Sequence, residues 1–377
     1  MELKPVIWTA EVVYLGFGTP MLEGGLVVVG QHVVASGPLA ELQARYPQAP
    51  VVPKGRALTP PVVNAHTHLD LSTIPPYPPN PEGYTSFIQH VIEHQAWRTP
   101  QAVAQGLEEL RRLGVGGFGD IAYRPEGVEW LLEHGTFDAP WQGAVVYLEV
   151  IQRDPTQAEA VTRRLAQQLA AWRRKNERVR VGLSPHTPFN VSPELLKKLV
   201  EVARLEGFPL QMHVAESPEE TEIMTQGTGR LQEIPRRYGF PPYQNLPGTT
   251  PVRYLAELGV LGPHLTLVHG VEVDEEEVVM LAQSGTRVVS CPRSNQALGC
   301  RPFPWALYLK HRLEVALGTD SRASSPDLDV RNEALFLWER VDPRVLVRAA
   351  TRNGYRVLGL PTPRITRGTP VAQVQSW

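Results

Sequence analysis

The stretch Ala57-Leu58-Thr59-Pro60-Pro61-Val62-Val63-Asn64-Ala65-His66-Thr67-His68-Leu69-Asp70 decides how the rest of this chain is read. Its apolar run from Ala57 to Val63 reads as a short buried strand that delivers two histidines. Side chains alternate with period two along an extended chain, so His66 and His68 face the same side. Two imidazoles placed this way can share one metal ion, with nitrogens about 2.0–2.1 Å from zinc. One His-x-His pair among eleven histidines is weak evidence alone. It gains weight because later apolar runs also end in metal-type residues, at His213, His269 and Asp320.

The 377 residues are 42% hydrophobic and 20% charged, with a formal net charge of −2, which fits one large enzyme domain with a small companion. A near-neutral balance gives no reason to expect nucleic acid or an anionic membrane as partner. No apolar run approaches the roughly 20 residues that span a bilayer. Met1 to Trp8 lacks a basic segment followed by an apolar core, and Cys291 and Cys300 are too few for a disulfide framework. The expectation is a cytoplasmic protein without cross-links, with a homo-oligomer left open.

Residues 1–56 carry short β-branched runs between glycine and proline, and the end of the chain, Pro363–Thr366 and Val371–Val374, has the same character. Residues 1–56 with 361–377 are therefore expected to form a small antiparallel β-sandwich domain. From 57 to 360 apolar strands alternate with helical segments. The strands are the first run and those ending at Ile121, Leu148, Ser184, His213, His269, Ser290 and Gly318. Helices are expected over Gln101–Leu113, Gln157–Arg174, Pro193–Glu206 and Asp274–Gln283. Eight strand–helix repeats predict an α/β fold, a parallel (β/α)8 TIM-like barrel. No Gly-x-Gly-x-x-Gly follows the first strand to favour a doubly wound sheet.

Chemistry in such a barrel sits at the C-terminal ends of the strands. Those ends carry His66 and His68, Asp120, His186, His213 with Glu216, His269, and Asp320. His90, His94, His134, His264 and His311 fall on helices and loops and read as surface or packing residues. The strand-end set has the composition of a metal site with accompanying acid–base groups.

Taken in order, Pro61–His68, Met212-His213-Val214-Ala215-Glu216, Val268-His269-Gly270, Cys291-Pro292-Arg293-Ser294-Asn295 and Leu317-Gly318-Thr319-Asp320-Ser321 resemble the successive signatures of the amidohydrolase superfamily. The branch resembled contains aminohydrolases and chlorohydrolases of heteroaromatic rings, and within it the likeness is to 6-aminodeoxyfutalosine deaminases of menaquinone synthesis. The resemblance implies His66, His68, His213 and Asp320 as ligands of one divalent metal, Zn2+ in the first place, with Fe2+ or Mn2+ accepted by the same donors. It implies Glu216 as proton shuttle to the ring nitrogen and His269 with Asp320 as groups that orient water. His186, with Glu216, would contact substrate. The resemblance implies a mononuclear centre: binuclear relatives carry a bridging lysine or carboxylate on the third or fourth strand, and these strands end here in Glu149 and His186, of which Glu149 leaves the binuclear alternative open.

Glu219 and Glu220 read as solvated residues of a helix start. Asp120 reads either as support for the site or as a helix cap, and Cys291 as packing. Pro-rich Ile74–Pro81 and Gly/Pro-rich Gln226–Pro251 are candidate pocket loops. Rival activities on the same site are deamination of S-adenosylhomocysteine, adenosine or guanine, and triazine chlorohydrolysis. A metal-binding barrel without catalysis is the non-enzymatic rival, disfavoured by Glu216 and His269.

Overall fold

The computed structural model describes residues 3–78, 83–135, 142–243 and 246–377. Among them, Pro79–Pro81 of the first candidate loop and Gln244–Asn245 of the second are not included. No described helix is long and apolar enough to cross a membrane.

The main sheet is a parallel (β/α)8 barrel. Its strands are Val63–His68, Gly117–Ala122, Gly143–Val150, Val179–Pro185, Leu210–Val214, Leu265–His269, Arg287–Ser290 and a last one in two pieces, Val315–Leu317 and Asp320–Ser321. Each lies parallel to the next. The split strand closes the ring. Its first piece pairs with Arg287–Ser290 and its second with Thr67–His68. Between the pieces, Gly318 N donates to Ser290 O at 3.0 Å and Thr319 N donates to His66 O at 3.1 Å. A Cβ on Gly318 would lie 2.7 Å from the Cβ of His66, so the closing strand can pass behind that histidine only without a side chain.

The run Ala57–Val63 divides, contrary to the sequence reading. Ala57–Thr59 belongs to a separate sheet, parallel to Val12–Val13 and antiparallel to Gln375–Ser376. Pro60 and Pro61 have no N–H to give a ladder, so the run breaks there and the barrel strand begins at Val63. Both histidines thus lie inside a strand.

Two four-stranded sheets flank the barrel, and Ala10, Val13, Leu26, Val28, Val33, Leu58 and Ile365 pack together as one apolar cluster. They are mixed sheets, not purely antiparallel ones. Pro5–Thr9 runs parallel to Val51–Pro53, because the helix Leu39–Arg45 carries the chain back before it re-enters. At the C-terminus the pairing strand is Gln375–Ser376; Val371–Gln373 is a short 3-10 turn.

The barrel helices follow their sequence signals closely: Pro100–Arg112, Ala158–Trp172, Pro193–Glu206 and Glu275–Ser284. Ser192 Oγ accepts from Leu195 N at 3.3 Å ahead of Pro193, and Asp274 with Glu277 forms a capping box. The N-terminal rim of the barrel is plugged. Arg180 donates to Leu358 O at 2.9 Å, Arg287 to Val357 O at 3.3 Å, and Tyr355 Oη to Pro61 O at 3.1 Å. Access to the interior is left to the opposite end, where the strand-end residues gather.

Candidate active site

His66, His68 and His213 bring one ring nitrogen each to within 4.8 Å of one another. His68 Nε2 and His213 Nε2 face each other at 3.2 Å. That is about the spacing of two nitrogens each ~2.0–2.1 Å from one tetrahedral ion. Asp320 Oδ1 stands 3.7 Å from His66 Nε2 and 3.5 Å from His68 Nε2. His66 Nε2 is buried and without a hydrogen-bond partner. Lone pairs converging in this way are unfavourable unless a cation lies among them, so the donor set fits a divalent metal.

Neighbouring groups fix which ring nitrogen is free. Gln211 Nε2 donates to Ala65 O at 3.1 Å, which turns its Oε1 toward His66 Nδ1 at 2.6 Å. His66 Nδ1 must therefore carry the proton, leaving Nε2 as a donor to metal. His213 Nδ1 gives its proton to His186 O at 3.1 Å with the same consequence. Burial holds the His68 and His213 rings well below the ordinary imidazole pKa, so both are neutral near pH 7. The second oxygen of Asp320 accepts from Ser294 Oγ at 2.6 Å and from Ser324 Oγ at 2.9 Å. Burial would raise the Asp320 pKa, but the facing imidazoles of His66, His68 and His269 prevail and hold it well below the usual carboxylate range.

Glu216 is buried beside this cluster, with Oε1 3.5 Å from His269 Nε2. Burial, reinforced by the charges of Asp320 and Glu220, pushes its carboxyl well above the ordinary value. The shift favours the protonated form, the form that can give a proton to a bound ring. His269 is lowered to about 4 by burial and directs Nδ1 to Asn295 Oδ1 at 2.8 Å. Its Nε2 is then a free acceptor facing the cluster.

Glu220 is buried, in contrast to the solvated role its sequence context suggested. Ser217-Pro218-Glu219-Glu220 does start a helix, and Ser217 Oγ accepts from Glu220 N at 3.2 Å. The Glu220 carboxylate, however, reaches past the helix start and accepts from Glu216 N at 2.8 Å. Glu219 remains partly exposed.

His186 and Glu149 lie on the other side of His213, their Nε2 and Oε1 3.8 Å apart, and Asn190 Nδ2 meets His186 Nδ1 at 3.0 Å. Asp120 lies within its strand and caps no α-helix. Its Oδ1 accepts from Leu69 N at 2.7 Å and so holds the turn after His68. Asp70 in that turn is clamped by Arg98 at 2.9 Å. Cys291 is fully buried packing. His94, His134 and His264 hydrogen-bond to backbone four residues earlier, His90 to Pro75 O and His311 to the Glu275 carboxylate, all away from the cluster.

The cluster opens into a cavity of about 70 Å³ lined by His68, His186, His213, Glu216, His269 and Asp320, with Tyr84, Phe87, Ile88 and Val91 opposite. Those four come from the helix Tyr84–Glu93, not from the described part of the proline-rich loop, Ile74–Pro78. Ile88, Val91, Arg98, Glu149 and His186 also line an adjoining chamber of about 790 Å³, walled further by Ile234 and Phe240–Tyr243 of the second candidate loop. The contributions of Gln211, Ser294, Ser324, Asn295, Tyr84 and Glu220 are additions to the sequence-based set.

Comparison with known proteins agrees with this architecture. The profile described as "Amidohydrolase family" matches residues 57–369, and one described as "Imidazolonepropionase-like composite domain, bacteria" matches residues 24–49. The chain is 42% identical over 372 residues to aminodeoxyfutalosine deaminase of Deinococcus radiodurans, covering 96% of this chain and 87% of that protein. It is 27% identical over 357 residues to 5-methylthioadenosine/S-adenosylhomocysteine deaminase of Syntrophobacter fumaroxidans, covering 89% and 75%. The crystal structure of Helicobacter pylori aminofutalosine deaminase with methylthio-coformycin superposes with a TM-score of 0.73 at 20% identity, over 97% of this chain and 90% of that one, a likeness of fold. With the barrel, the ordered motifs and a full-length relative at this identity in agreement, the chain belongs to the amidohydrolase family.

Proposed function

We propose that this protein is a metal-dependent hydrolytic deaminase of an aminated purine nucleoside, with 6-aminodeoxyfutalosine as substrate and futalosine and ammonia as products. The observation that carries the reading is a buried carboxyl, Glu216, facing a cavity shared with three converging imidazole nitrogens and Asp320. A structural metal site needs neither a buried acid beside it nor an open position. The choice of nucleoside rests on the 42% identity to the D. radiodurans enzyme, against 27% to the S-adenosylhomocysteine deaminase. It would place the reaction in menaquinone synthesis.

His66, His68, His213 and Asp320 would hold one divalent cation, best suited to Zn2+ by their nitrogen and oxygen donors, with Fe2+ or Mn2+ compatible. When bound, such a cation supplies Lewis-acid activation of water near neutral pH. The protein's own groups then divide the proton work. Neutral His269 and ionised Asp320 accept a proton from the attacking water and aim it at the ring carbon bearing the amine. Glu216 gives its proton to the adjacent ring nitrogen, so negative charge does not accumulate on the ring. Asp320 passes its proton to the departing amine, and the hydroxyl left on the ring carbon returns a proton to Glu216 as the carbonyl forms. His186, set between the cluster and the outer chamber, contacts the nucleoside.

Ammonia release from 6-aminodeoxyfutalosine, S-adenosylhomocysteine, adenosine and guanine by metal-loaded protein tests the reading. Fast release from the first is expected, with Glu216→Gln and Asp320→Asn each losing ~10²–10⁴-fold in kcat while the barrel stays folded. Near-normal turnover by either variant would overturn the assignment.

A further inference from the structure

Asp320 and His269 lie on different strands, yet one short helix holds both from behind. Ser294 Oγ donates to Asp320 Oδ2 at 2.6 Å, and His269 Nδ1 donates to Asn295 Oδ1 at 2.8 Å. Ser294 and Asn295 both belong to the helix Pro292–Ala297, which follows the seventh strand. A second hydroxyl, Ser324 Oγ, reaches the same Asp320 oxygen at 2.9 Å from the turn after the eighth strand. Partners from two separate loops must therefore keep one register if the acid–base pair is to keep its aim.

Arg293 joins the two loops. Its backbone N donates to Glu333 Oε2 at 2.9 Å and its Nε to Glu333 Oε1 at 2.6 Å. Its other nitrogens grip both oxygens of Asp327, Nη1 to Oδ2 at 3.0 Å and Nη2 to Oδ1 at 2.6 Å. Asp327 in turn accepts from Asp329 N and from Asn332 Nδ2, each at 2.9 Å, and its carbonyl accepts from Ser325 Oγ at 3.2 Å. Ser325 N donates to Ser321 O at 2.8 Å, and Ser321 Oγ meets Ser324 Oγ at 3.0 Å. One planar guanidinium thus fixes the helix of Ser294 and Asn295 to the turn of Ser324 through two forks.

The setting of this clamp points to position and not to stability. The Glu333 side chain is fully buried and that of Arg293 is 13% exposed. Burial pushes the Glu333 carboxyl up to about 7 in spite of the adjacent guanidinium. A buried ion pair recovers little beyond its own desolvation penalty, and apolar residues of similar volume would hold the fold as well. Apolar packing has no direction, however, whereas paired forks fix both distance and angle. None of Arg293, Asp327 and Glu333 is among the described residues that line the two cavities. Any effect they have on the reaction must run through Ser294, Asn295 and Ser324.

We infer that Arg293 is a positioning residue for the deamination: its forks to Glu333 and Asp327 set the aim of Asp320 and His269. The inference rests on the deaminase reading for the roles of those two groups.

Arg293→Lys tests it. Lysine keeps a charge beside Glu333, but a single ammonium cannot make both forks. Per bound metal, kcat on the preferred nucleoside is expected to fall ~10- to 100-fold, with KM within about threefold of wild type. Imidazole 15N spectra of the metal-loaded proteins, with His269 assigned through His269→Asn, give a readout apart from turnover. Wild type is expected to carry the His269 proton on Nδ1, and Arg293→Lys to show both tautomers. A clamp that only stabilises the fold would lower the urea midpoint and leave kcat, KM and the tautomer unchanged; that result overturns the inference. If Arg293→Lys does not fold, Asp327→Asn decides, because its side chain is 30% exposed and only the outer fork is lost. Its kcat is expected to fall ~3- to 10-fold, and unchanged kcat and tautomer refute the inference. If wild type deaminates no nucleoside, the deaminase reading is the one that fails, and the 15N comparison alone decides the clamp.

Discussion

Glu220 gives the prediction with the most direct magnitude. Burial pushes its carboxyl from 4.5 to about 7, although the backbone N–H groups of Glu216 and Ala215 pull the other way. Below pH 4.5 the group is protonated in folded and unfolded chains alike and has no effect on the balance. Between 4.5 and about 7 the unfolded chain releases the proton first, so the folded state loses stability as pH rises. Above 7 both are ionised and the cost is constant. At ~1.36 kcal/mol per pKa unit the loss is about 3 kcal/mol. Glu220→Gln removes the charge but keeps an oxygen for the Glu216 N–H. Its added NH2 meets the position of Oε1, which has no partner, and that penalty does not depend on pH. Urea unfolding of both metal-loaded proteins from pH 4.5 to 8.5 should therefore show the variant gaining about 3 kcal/mol relative to wild type across the range. Titrations shared by the two proteins cancel in that difference. A difference that stays flat with pH would show that Glu220 ionises normally in the fold, and the reasoning would fail.

Three further outcomes follow from the same geometry. Glu220→Ala deletes the acceptor that fixes the Glu216 backbone and should lower kcat by roughly 10²-fold, the scale of a ~1 Å misplacement, while Glu220→Gln keeps most of it; steady-state kinetics on the preferred nucleoside decides. Gln211→Leu leaves His66 Nδ1 without its acceptor and should weaken metal binding by ~10- to 100-fold, measured by competition with a chelator at unchanged circular dichroism. Gly318→Ala places a methyl against His66 and should cost about 1–3 kcal/mol in denaturant unfolding, with weakened metal retention.

Much of the barrel is legible in the sequence because its helices announce themselves. Ser192-Pro193 and Asp274 with Glu277 are local signals, and the structure uses them as such. The ring histidines are legible for a similar reason, since period two puts His66 and His68 on one face. The same rule applied to His213 would have found Gln211, two residues earlier and buried on that face. Other features depend on distant parts of the chain. Nothing near Ala57 reveals that Gln375–Ser376 will pair with it, so the small sheet captures a run that looks like barrel. Glu220 follows a helix cap and looks solvated, and it is buried only because the strand end beside it turns inward.

That inward turn explains how the site is built. His213 and Glu216 are three residues apart, so on a regular strand they would face opposite sides. Ala215 between them has φ +54, His269 has φ +74 and Asp320 has φ +59, three of the five described non-glycine residues in the left-handed region. Each costs of order 1–3 kcal/mol and persists only where its surroundings over-determine it. The surroundings do so here. Val271 N and Glu272 N both donate to Ala215 O at 2.8 Å, and Gly270 N donates to Val214 O at 3.0 Å, tying the ends of the fifth and sixth strands together. Ser294 and Ser324 hold Asp320 from behind. His66 and His68 come from a strand that itself shifts register against Gly117–Ala122 between Asn64 and Thr67. The acid–base groups stand where the strands break their own alternation, and the strain stored at those breaks is balanced by hydrogen bonds that serve no other part of the fold.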